Sequence, residues 1–378
     1  MTAVFLISAA LIAFILAGYP LLLAARARLW PAPAIAKEFR PRTVTAIIAV
    51  KNGGRWLAHK LDSLLRLDYP RQCLNIIVVS DGSTDDTDEI ARRYAEADAR
   101  IEWMRVPAGG KCAALTAAFP RATGEILFLT DVRQEVAPDS LQHLTANFSD
   151  PAVGAVCGEM LIRDPETHDE RDIGLYWRFE SWIRRTLSRV DSMLGMTGPF
   201  YTIRRELAIA IPSQILLDDM YLPLHAFFRG YRLIADPAAR SWDYPTSADT
   251  EFRRKVRTLA GNYQLLAYYP HLLLPWRNRM WFDYVCYKLG RLLLPHLLIV
   301  CALSSWWLPA PWRGLALAAE AAFAALTLLD PVAPRVLKKL TSPPRTFSVM
   351  MLAALYAQSV FFVPPQRLWS APTQTKSP

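Results

Sequence analysis

The chain has 378 residues, of which 52% are hydrophobic and 20% are charged, and its formal net charge at pH 7 is +9. A basic excess favours nucleic acid, an anionic membrane surface or a phosphorylated substrate as the partner. No arginine-aromatic nucleic-acid module is present, so the last two classes are favoured and no nucleic-acid partner is predicted. Five scattered cysteines form no CxxC pair or Cys/His cluster, which argues against a zinc site or a disulfide framework and fits a reducing location.

An uncharged apolar run opens the chain, because residues 3–24 carry no charge over a length that can cross a bilayer. A cleaved signal peptide is the competing interpretation, and it would place basic residues before the run. Here Arg26, Arg28 and Lys37 follow it. This pattern predicts a retained transmembrane helix over residues 1–26 whose C-terminal end faces the cytoplasm.

Three further apolar runs, at 292–308, 312–329 and 346–363, predict three transmembrane helices within residues 291–364. The basic loop between the last two predicts that both chain termini lie outside and that residues 25–288 lie in the cytoplasm. Glu320 lies inside one predicted span, where it is either functional or paired at a helix interface.

Two other segments have a distinct composition. Residues 251–290 mix bases, aromatics and leucines, which is typical of amphipathic helices at a membrane surface. Residues 365–378 form a polar, proline-containing segment that we expect to be a loose tail.

The middle of the chain, residues 40–250, alternates between strand and helix patterns. Apolar runs at 43–50, 74–80, 101–106 and 125–130 predict strands, and helical periodicity lies between them. Such alternation predicts an α/β domain, Rossmann-like, with a mostly parallel sheet and helices on both faces. Ligands of these sheets bind beyond the carboxyl ends of the strands.

Polar residues stand at those strand ends. Lys51 and Asn52, then Asp81, then Asp131 each follow or end a strand, and Lys111 opens a helix between two strands. Each residue alone is explained more simply by a solvated turn. Together they predict a nucleotide crevice. The sequence lacks a usable GxGxxG or P-loop motif, which argues against a dinucleotide or ATP-hydrolase site.

Several segments resemble, in order, the family-two inverting glycosyltransferases: "IIAVKNGGRWLAHKLDSLLRLDYP", "IIVVSDGSTDDT", "GGKCAALTAAF", "EILFLTD", "GPFYTIRREL", "DDMYLPLHAFFRGYRL" and "RKVRTLAGN". The resemblance covers about residues 43–270 and is closest to the membrane-embedded, polysaccharide-synthase-like branch. It implies a GT-A fold and transfer of a hexosyl or N-acetylhexosaminyl group from a nucleoside-diphosphate sugar, usually UDP-linked. The acceptor would be lipid-linked or a polysaccharide, at the cytoplasmic face of a bacterial inner membrane.

The resemblance also implies roles for individual residues. Asp219 matches the catalytic base and Asp218 the acid that precedes it. The acceptor loop matches Gly198, Pro199, Phe200 and Tyr201, and the residues that bind the nucleotide sugar match Lys51, Asn52, Asp81, Gly82, Lys111, Asp131, Arg133, Arg254 and Arg257. Two competing interpretations stay open: the acid pair as a simple helix cap, and Arg257 as an anchor to lipid headgroups.

The chain departs from the family pattern in two places, and both raise the local positive charge. Arg133 stands where the second acid of the DxD motif is usual, and Arg254 and Thr258 stand for the glutamine and tryptophan of QxxRW. Three interpretations follow: Arg133 and Arg254 replace part of the metal's charge, Asp131 alone anchors Mg²⁺ or Mn²⁺ through waters, or activity is lost.

The last interpretation gives an alternative function, a degenerate sugar-nucleotide-binding subunit of an envelope polysaccharide complex. The predicted partners are the nucleotide-sugar donor, a lipid or glycan acceptor and the membrane. Because four spans without a convincing repeat provide little pathway, export of a polymer would need a homo-oligomer or a partner protein.

Overall fold

The computed structural model describes residues 1–163, 174–245, 248–334 and 336–368. These residues fold as two compact units. The helical unit comprises Met1–Ala24 and the described part of Ser247–Thr373, and the sheet unit comprises the described part of Ala25–Thr246.

An eight-stranded sheet forms the centre of the sheet unit, in the order β3-β2-β1-β4-β7-β6-β8-β5. In chain order the strands are β1 (Val44–Val50), β2 (Leu74–Asp81), β3 (Ile101–Val106), β4 (Ile126–Thr130), β5 (Glu135–Val136), β6 (Val153–Ile162), β7 (Phe200–Arg204) and β8 (Arg232–Asp243). Strands β3, β2, β1 and β4 are parallel neighbours, and β8 is parallel to β6. Strand β7 is antiparallel to β4 and β6, and β5 is antiparallel to β8. The predicted α/β class with a largely parallel sheet is confirmed, with antiparallel members that the sequence pattern did not show.

One set of helices packs on the sheet, and another set forms the helical unit. In the sheet unit they are α2 (Gly54–Leu65), α3 (Thr87–Ala97), α4 (Lys111–Ala118), α5 (Ser140–Ala146), α6 (Gly174–Val190) and α7 (Asp218–Phe228), and α1 (Thr2–Leu29) begins the chain. In the helical unit they are α8 (Ala248–Tyr268), α9 (Trp281–Ser305), α10 (Trp312–Leu329) and α11 (Lys338–Tyr356).

Helix α2 shows why these elements form. Leu57, Leu61 and Leu64 recur at the spacing of one helical face and are fully buried in the core of the sheet unit. They pack in the same cluster as Ile48 of β1 and Phe128 of β4. The helix therefore packs its leucine face into the core beside β1 and β4.

Three helices are long and apolar enough to cross a membrane in the part of the chain that the structure describes: Thr2–Leu29, Trp281–Ser305 and Trp312–Val332. The N-terminal span and the span predicted at 312–329 are confirmed as candidates. The span predicted at 292–308 lies in a helix that begins earlier, at Trp281. A π-helical segment, Tyr284–Leu289, belongs to this helix, although the sequence predicts that those residues lie at the membrane surface. Glu320 lies half-buried in α10.

The span predicted at 346–363 is not among these candidates. Helix α11 starts at Lys338 with basic residues and contains Pro343 and Pro344, so its apolar stretch begins only near Phe347. The α-helix then ends at Tyr356, and a short 3₁₀ helix follows. The apolar run is thus divided between two kinds of helix.

A buried lysine interrupts the apolar face of α2. The side chain of Lys60 is fully buried, and its Nζ donates hydrogen bonds to Thr130 Oγ1 at 2.7 Å and to the carbonyl oxygen of Gln134 at 2.8 Å. Burial lowers the pKa of Lys60 from its ordinary value of 10.5 to about 7, although the charges of Asp131 and Glu135 oppose the shift.

This pKa predicts that stability rises with pH. Below about pH 7 Lys60 is protonated in both the folded and the unfolded protein, so the penalty for burying the charge is present in full. Between pH 7 and 10.5 the folded protein releases the proton first and the penalty is relieved. One unit of pKa corresponds to about 1.4 kcal/mol, so between pH 7 and pH 9 the free energy of unfolding should rise by roughly 2–3 kcal/mol more in the wild type than in Lys60→Met. Unfolding in detergent, followed by tryptophan fluorescence at both pH values, measures this difference. An identical pH dependence in the two proteins would show that folding does not lower the pKa of Lys60.

Candidate active site

The loops that follow β1 and β2 are joined into one rim. The backbone N–H of Asn52 donates to Ser83 Oγ at 3.1 Å, and Asn52 Oδ1 accepts from the N–H of Thr84 at 2.8 Å. The N–H of Gly54 donates to Asp85 Oδ2 at 3.0 Å. The loops at the two strand ends are therefore joined by hydrogen bonds, as expected for the rim of a ligand crevice.

Asp81 connects this rim to the next loop. It ends β2, is buried, and accepts hydrogen bonds from the backbone N–H of Gly109 at 2.7 Å and of Gly110 at 3.0 Å. The following residue, Gly82, has a φ of +60°, and a Cβ there would lie 2.9 Å from Ala108, so both the conformation and the close approach require glycine. The predicted binding residues Asp81 and Gly82 thus lie against the glycine loop that precedes α4, while Lys51 is exposed on the rim.

An ion-pair cluster lies at the carboxyl end of β4. Lys111 Nζ, from the first residue of α4, is 2.9 Å from Asp131 Oδ1 and 3.1 Å from Asp218 Oδ2. Burial alone would lower the pKa of Lys111, but Asp131, Asp218 and, more weakly, Asp219 raise it above its usual range. Lys111 is therefore a fixed cation that joins three segments of the chain.

Asp219 lies beside this cluster in the first turn of α7, half-buried. Its carbonyl oxygen accepts a hydrogen bond from the N–H of Met196 at 2.8 Å. A Cβ on Gly198 would lie 2.8 Å from Asp219 Oδ2, so any larger residue at this position would force the carboxylate to shift. Arg184 of α6 holds the same loop, donating to the carbonyl of Met196 at 2.6 Å and to Thr197 Oγ1 at 2.8 Å.

Only two of the four residues predicted to form the acceptor loop lie outside a strand. Gly198 and Pro199 precede β7 and are partly accessible. Phe200 and Tyr201 begin β7, and both side chains are fully buried, because the strand pairs them with β4 and β6. Tyr201 Oη has no hydrogen-bond partner among the described residues. Burial, followed by the charges of Asp218 and Asp219, raises its pKa well above the ordinary value.

Arg133, predicted to bind the nucleotide sugar, forms an ion pair within the protein, and its assignment to the sugar stays a prediction. Its Nη2 is 2.5 Å from Oδ2 of Asp243, a carboxylate at the end of β8 that is almost completely buried. Gln134 Nε2 donates to the same oxygen at 3.0 Å. The charge of Arg133 is therefore compensated within the sheet unit, which weakens the hypothesis that it substitutes for a metal.

Two predicted binding residues belong to the other unit. Arg254 and Arg257 lie on α8 of the helical unit, and Arg254 Nη2 is 3.2 Å from Glu251 Oε1 one turn away. Their assignment to the nucleotide sugar stays a prediction.

The resemblance did not indicate Lys60 or Asp243, which hold the two ends of the turn that carries Asp131. A signal for Lys60 exists in the sequence, because the lysine stands among leucines on the buried face of α2. Asp243 had no comparable signal, since its partner Arg133 is 110 residues away.

The carboxylates suit a cation that arrives with a ligand. Within the described ranges, no three His, Cys, Asp or Glu side chains converge as a preformed metal site. Asp131 has a side chain that is 38% exposed, and Asp218 lies across Lys111 from it. Magnesium is commonly bound through one or two carboxylates, with phosphate oxygens and waters completing the shell. The donor set therefore fits Mg²⁺ or Mn²⁺ held jointly by Asp131 and a diphosphate.

Comparison with known proteins supports this geometry. The family model described as glycosyl transferase family 2 matches residues 45–211. The chain is 23% identical over 229 residues to a poly-beta-1,6-N-acetyl-D-glucosamine synthase from Staphylococcus aureus, covering 59% of this chain and 55% of the relative. It is 25% identical over 253 residues to a beta-monoglucosyldiacylglycerol synthase from Nostoc sp., covering 63% of this chain and 52% of the relative. The chain thus spans about half the length of the curated relatives that it matches.

A solved structure is similar along almost the whole chain. It is a mannosyltransferase from Pyrobaculum calidifontis in complex with GDP-Man and Mn²⁺, with a TM-score of 0.72 and 25% identity, and the match covers 95% of this chain and 99% of that one. The family model covers the strands and loops that bring Asp81, Lys111 and Asp131 together. The sheet unit therefore has the GT-A fold, and residues 45–211 within it match the model described as glycosyl transferase family 2.

Proposed function

We propose that the protein is a membrane-bound inverting glycosyltransferase that moves a sugar from a nucleoside-diphosphate sugar to a hydroxyl of a lipid-linked or glycan acceptor. The observation that carries the proposal is the cluster in which Lys111 joins Asp131 and Asp218 beside Asp219. It combines a fixed cation for a departing diphosphate with a neighbouring carboxylate for an acceptor proton.

Asp219 acts as the general base in this proposal. Inverting transfer requires one carboxylate to accept the proton of the acceptor hydroxyl as that oxygen attacks the anomeric carbon. Asp219 is half-buried in the first turn of α7, where the helix N-terminus favours the ionised carboxylate. Gly198 brings its loop close to this carboxylate, so in the proposal the loop lies beside the acceptor hydroxyl.

The leaving nucleoside diphosphate carries concentrated negative charge. Lys111 supplies a permanent positive charge at the ends of β4 and α4, and such preorganised charge stabilises a departing anion. A divalent cation, when bound by Asp131 together with the diphosphate, would add Lewis-acid stabilisation. Mn²⁺ accompanies GDP-Man in the similar mannosyltransferase structure, which supports a divalent cation here.

The donor base and the acceptor are proposed only as classes. The likeness to a polysaccharide synthase supports a glycan acceptor, and the likeness to a glucosyldiacylglycerol synthase supports a lipid acceptor. The structural likeness supports a guanosine donor, whereas a uridine donor rests on the sequence resemblance alone. The three apolar helices support residence in a membrane. We assign the sheet unit to the cytoplasmic side of a bacterial inner membrane from the charge distribution around the predicted spans.

A second candidate is a subunit that binds sugar nucleotide without catalysis. The observation that favours it is the replacement of the second DxD acid by Arg133, which is committed to Asp243. The two candidates differ in one measurable property, because both bind the donor and only the first releases nucleoside diphosphate with transfer of the sugar.

Asp219→Asn is expected to remove a general base while keeping the shape of the site. Transfer should fall by about 10²- to 10⁴-fold, the usual contribution of general-base catalysis, whereas binding of the nucleoside diphosphate should be unchanged. The measurement is release of UDP or GDP from a panel of donor sugars by purified protein in lipid, with and without EDTA.

The matched control for this amide substitution is Glu96→Gln, since Glu96 is exposed on α3. Full turnover in Asp219→Asn would defeat the assignment of the base. Donor binding without any turnover in the wild type, across the whole panel, would favour the binding subunit.

Gly198→Ala tests the close approach to Asp219. The added methyl would lie 2.8 Å from Asp219 Oδ2, so the carboxylate must shift, and a displacement of about 1 Å in a catalytic group commonly costs about 10²-fold in rate. We expect kcat to fall by about that factor while the affinity for the nucleoside diphosphate is kept. Gly314→Ala is the control, because a Cβ at that position meets no atom within 4 Å. Equal kcat values in the two variants would separate Gly198 from the reaction.

A further inference from the structure

We propose that Lys60 is a positioning residue for the diphosphate end of the donor site, because its buried amine fixes the turn that carries Asp131. The inference rests on the proposed function. It concerns a side chain that does not itself reach the reacting groups and that lies behind the site, within the core of the sheet unit.

The contacts form a continuous path from helix α2 to the site. Lys60 Nζ donates to Thr130 Oγ1 at 2.7 Å, and that hydroxyl donates to the carbonyl of Pro199 at 3.0 Å. The backbone N–H of Asp131 donates to the same carbonyl at 3.3 Å. Lys60 thus sets the backbone on which Asp131 stands and, through Pro199, the loop beside Asp219.

The second hydrogen bond of Lys60 reaches the far end of the same turn. Its Nζ donates to the carbonyl of Gln134 at 2.8 Å, and the side chain of Gln134 is held by Asp243 at 3.0 Å. The turn from Thr130 to Gln134 is therefore tied at both ends to one ammonium group. Asp131 lies between these two hydrogen-bonded residues, so its position depends on that of Lys60.

The chemistry of burial indicates that this lysine is not a packing residue. The neighbouring buried positions on α2 hold Leu57, Leu61 and Leu64. An apolar residue at position 60 would pack against the same core without burying a charge. Burying an ammonium group is unfavourable unless it is well hydrogen-bonded, and an apolar side chain at the same position carries no such penalty. The lowered pKa of Lys60 reflects that cost. A role in positioning Asp131 would explain why a lysine occupies this buried position despite the unfavourable burial of its charge.

The test compares two ligands that differ only at the diphosphate. Lys60→Met keeps the length of the side chain and removes the amine. Titration calorimetry of the full-length protein in detergent with Mn²⁺ would measure the affinities for UDP and UMP, and for GDP and GMP. We expect the variant to bind the diphosphate at least about tenfold more weakly, as is typical when a residue that orients a ligand-binding carboxylate is lost. The affinity for the monophosphate should change less than about twofold, because the contacts of Lys60 lie only at the turn of Asp131.

Two further variants keep the test decisive. Ser63→Ala removes a buried hydroxyl from the same helix, one that donates only to the backbone carbonyl of Lys60, and should bind both ligands as the wild type does. Thr130→Val removes the hydroxyl that Lys60 contacts and should lower the diphosphate affinity in the same direction as Lys60→Met. If Lys60→Met does not fold, Thr130→Val decides.

The outcomes separate this inference from the proposed function. A wild type that binds neither UDP nor GDP would overturn both. A wild type that binds a diphosphate, with Lys60→Met and Thr130→Val binding it equally well, would overturn the inference alone. Equal weakening of diphosphate and monophosphate would also overturn it, because that result describes a general loss of structure.

Discussion

The sheet unit depends on one electrostatic constraint: the ammonium of Lys111 must satisfy carboxylates from two distant parts of the chain. Asp131 follows strand β4 and Asp218 begins helix α7, and both lie within about 3 Å of the same nitrogen. Without that cation the acids would repel one another in a partly buried place. The antiparallel strand β7, which follows the Gly198 loop, completes the arrangement by bringing that loop past Asp219.

Two lysines at the same strand end show opposite responses to burial. Lys111 meets two carboxylates, so its pKa is raised and its charge is permanent. Lys60 meets a hydroxyl and a carbonyl, so burial dominates and its pKa is lowered to about 7. Coulombic partners outweigh desolvation in the first case and do not in the second. The two lysines therefore act differently: Lys111 is a charge paired with carboxylates, and Lys60 holds the backbone of the adjacent turn.

The sequence allowed the fold and much of the site to be predicted because parallel strands deliver their carboxyl ends to one edge. That rule placed Asp81, Lys111 and Asp131 together without any knowledge of contacts. It could not reveal that Arg133 pairs with Asp243, since the partners are far apart in the chain. Motif position also misled at Phe200, which matches a loop in the family pattern but is drawn into β7 by pairing with β4. Local sequence propensity cannot predict pairings between residues that are far apart in the chain.

Charge balance at the cluster argues for a cation that comes with the donor. Asp131 and Asp218 share the single ammonium group of Lys111, and Asp219 lies beside them. A nucleoside diphosphate would add further negative charge at the same strand end, and like charges at this separation repel strongly where solvent is partly excluded. Arg133 does not relieve the excess, because Asp243 already neutralises it. A divalent ion that arrived with the diphosphate would offset this charge, and Asp131 is the carboxylate that would hold it. On this interpretation the missing second acid of the motif would change how a metal is held without removing its role.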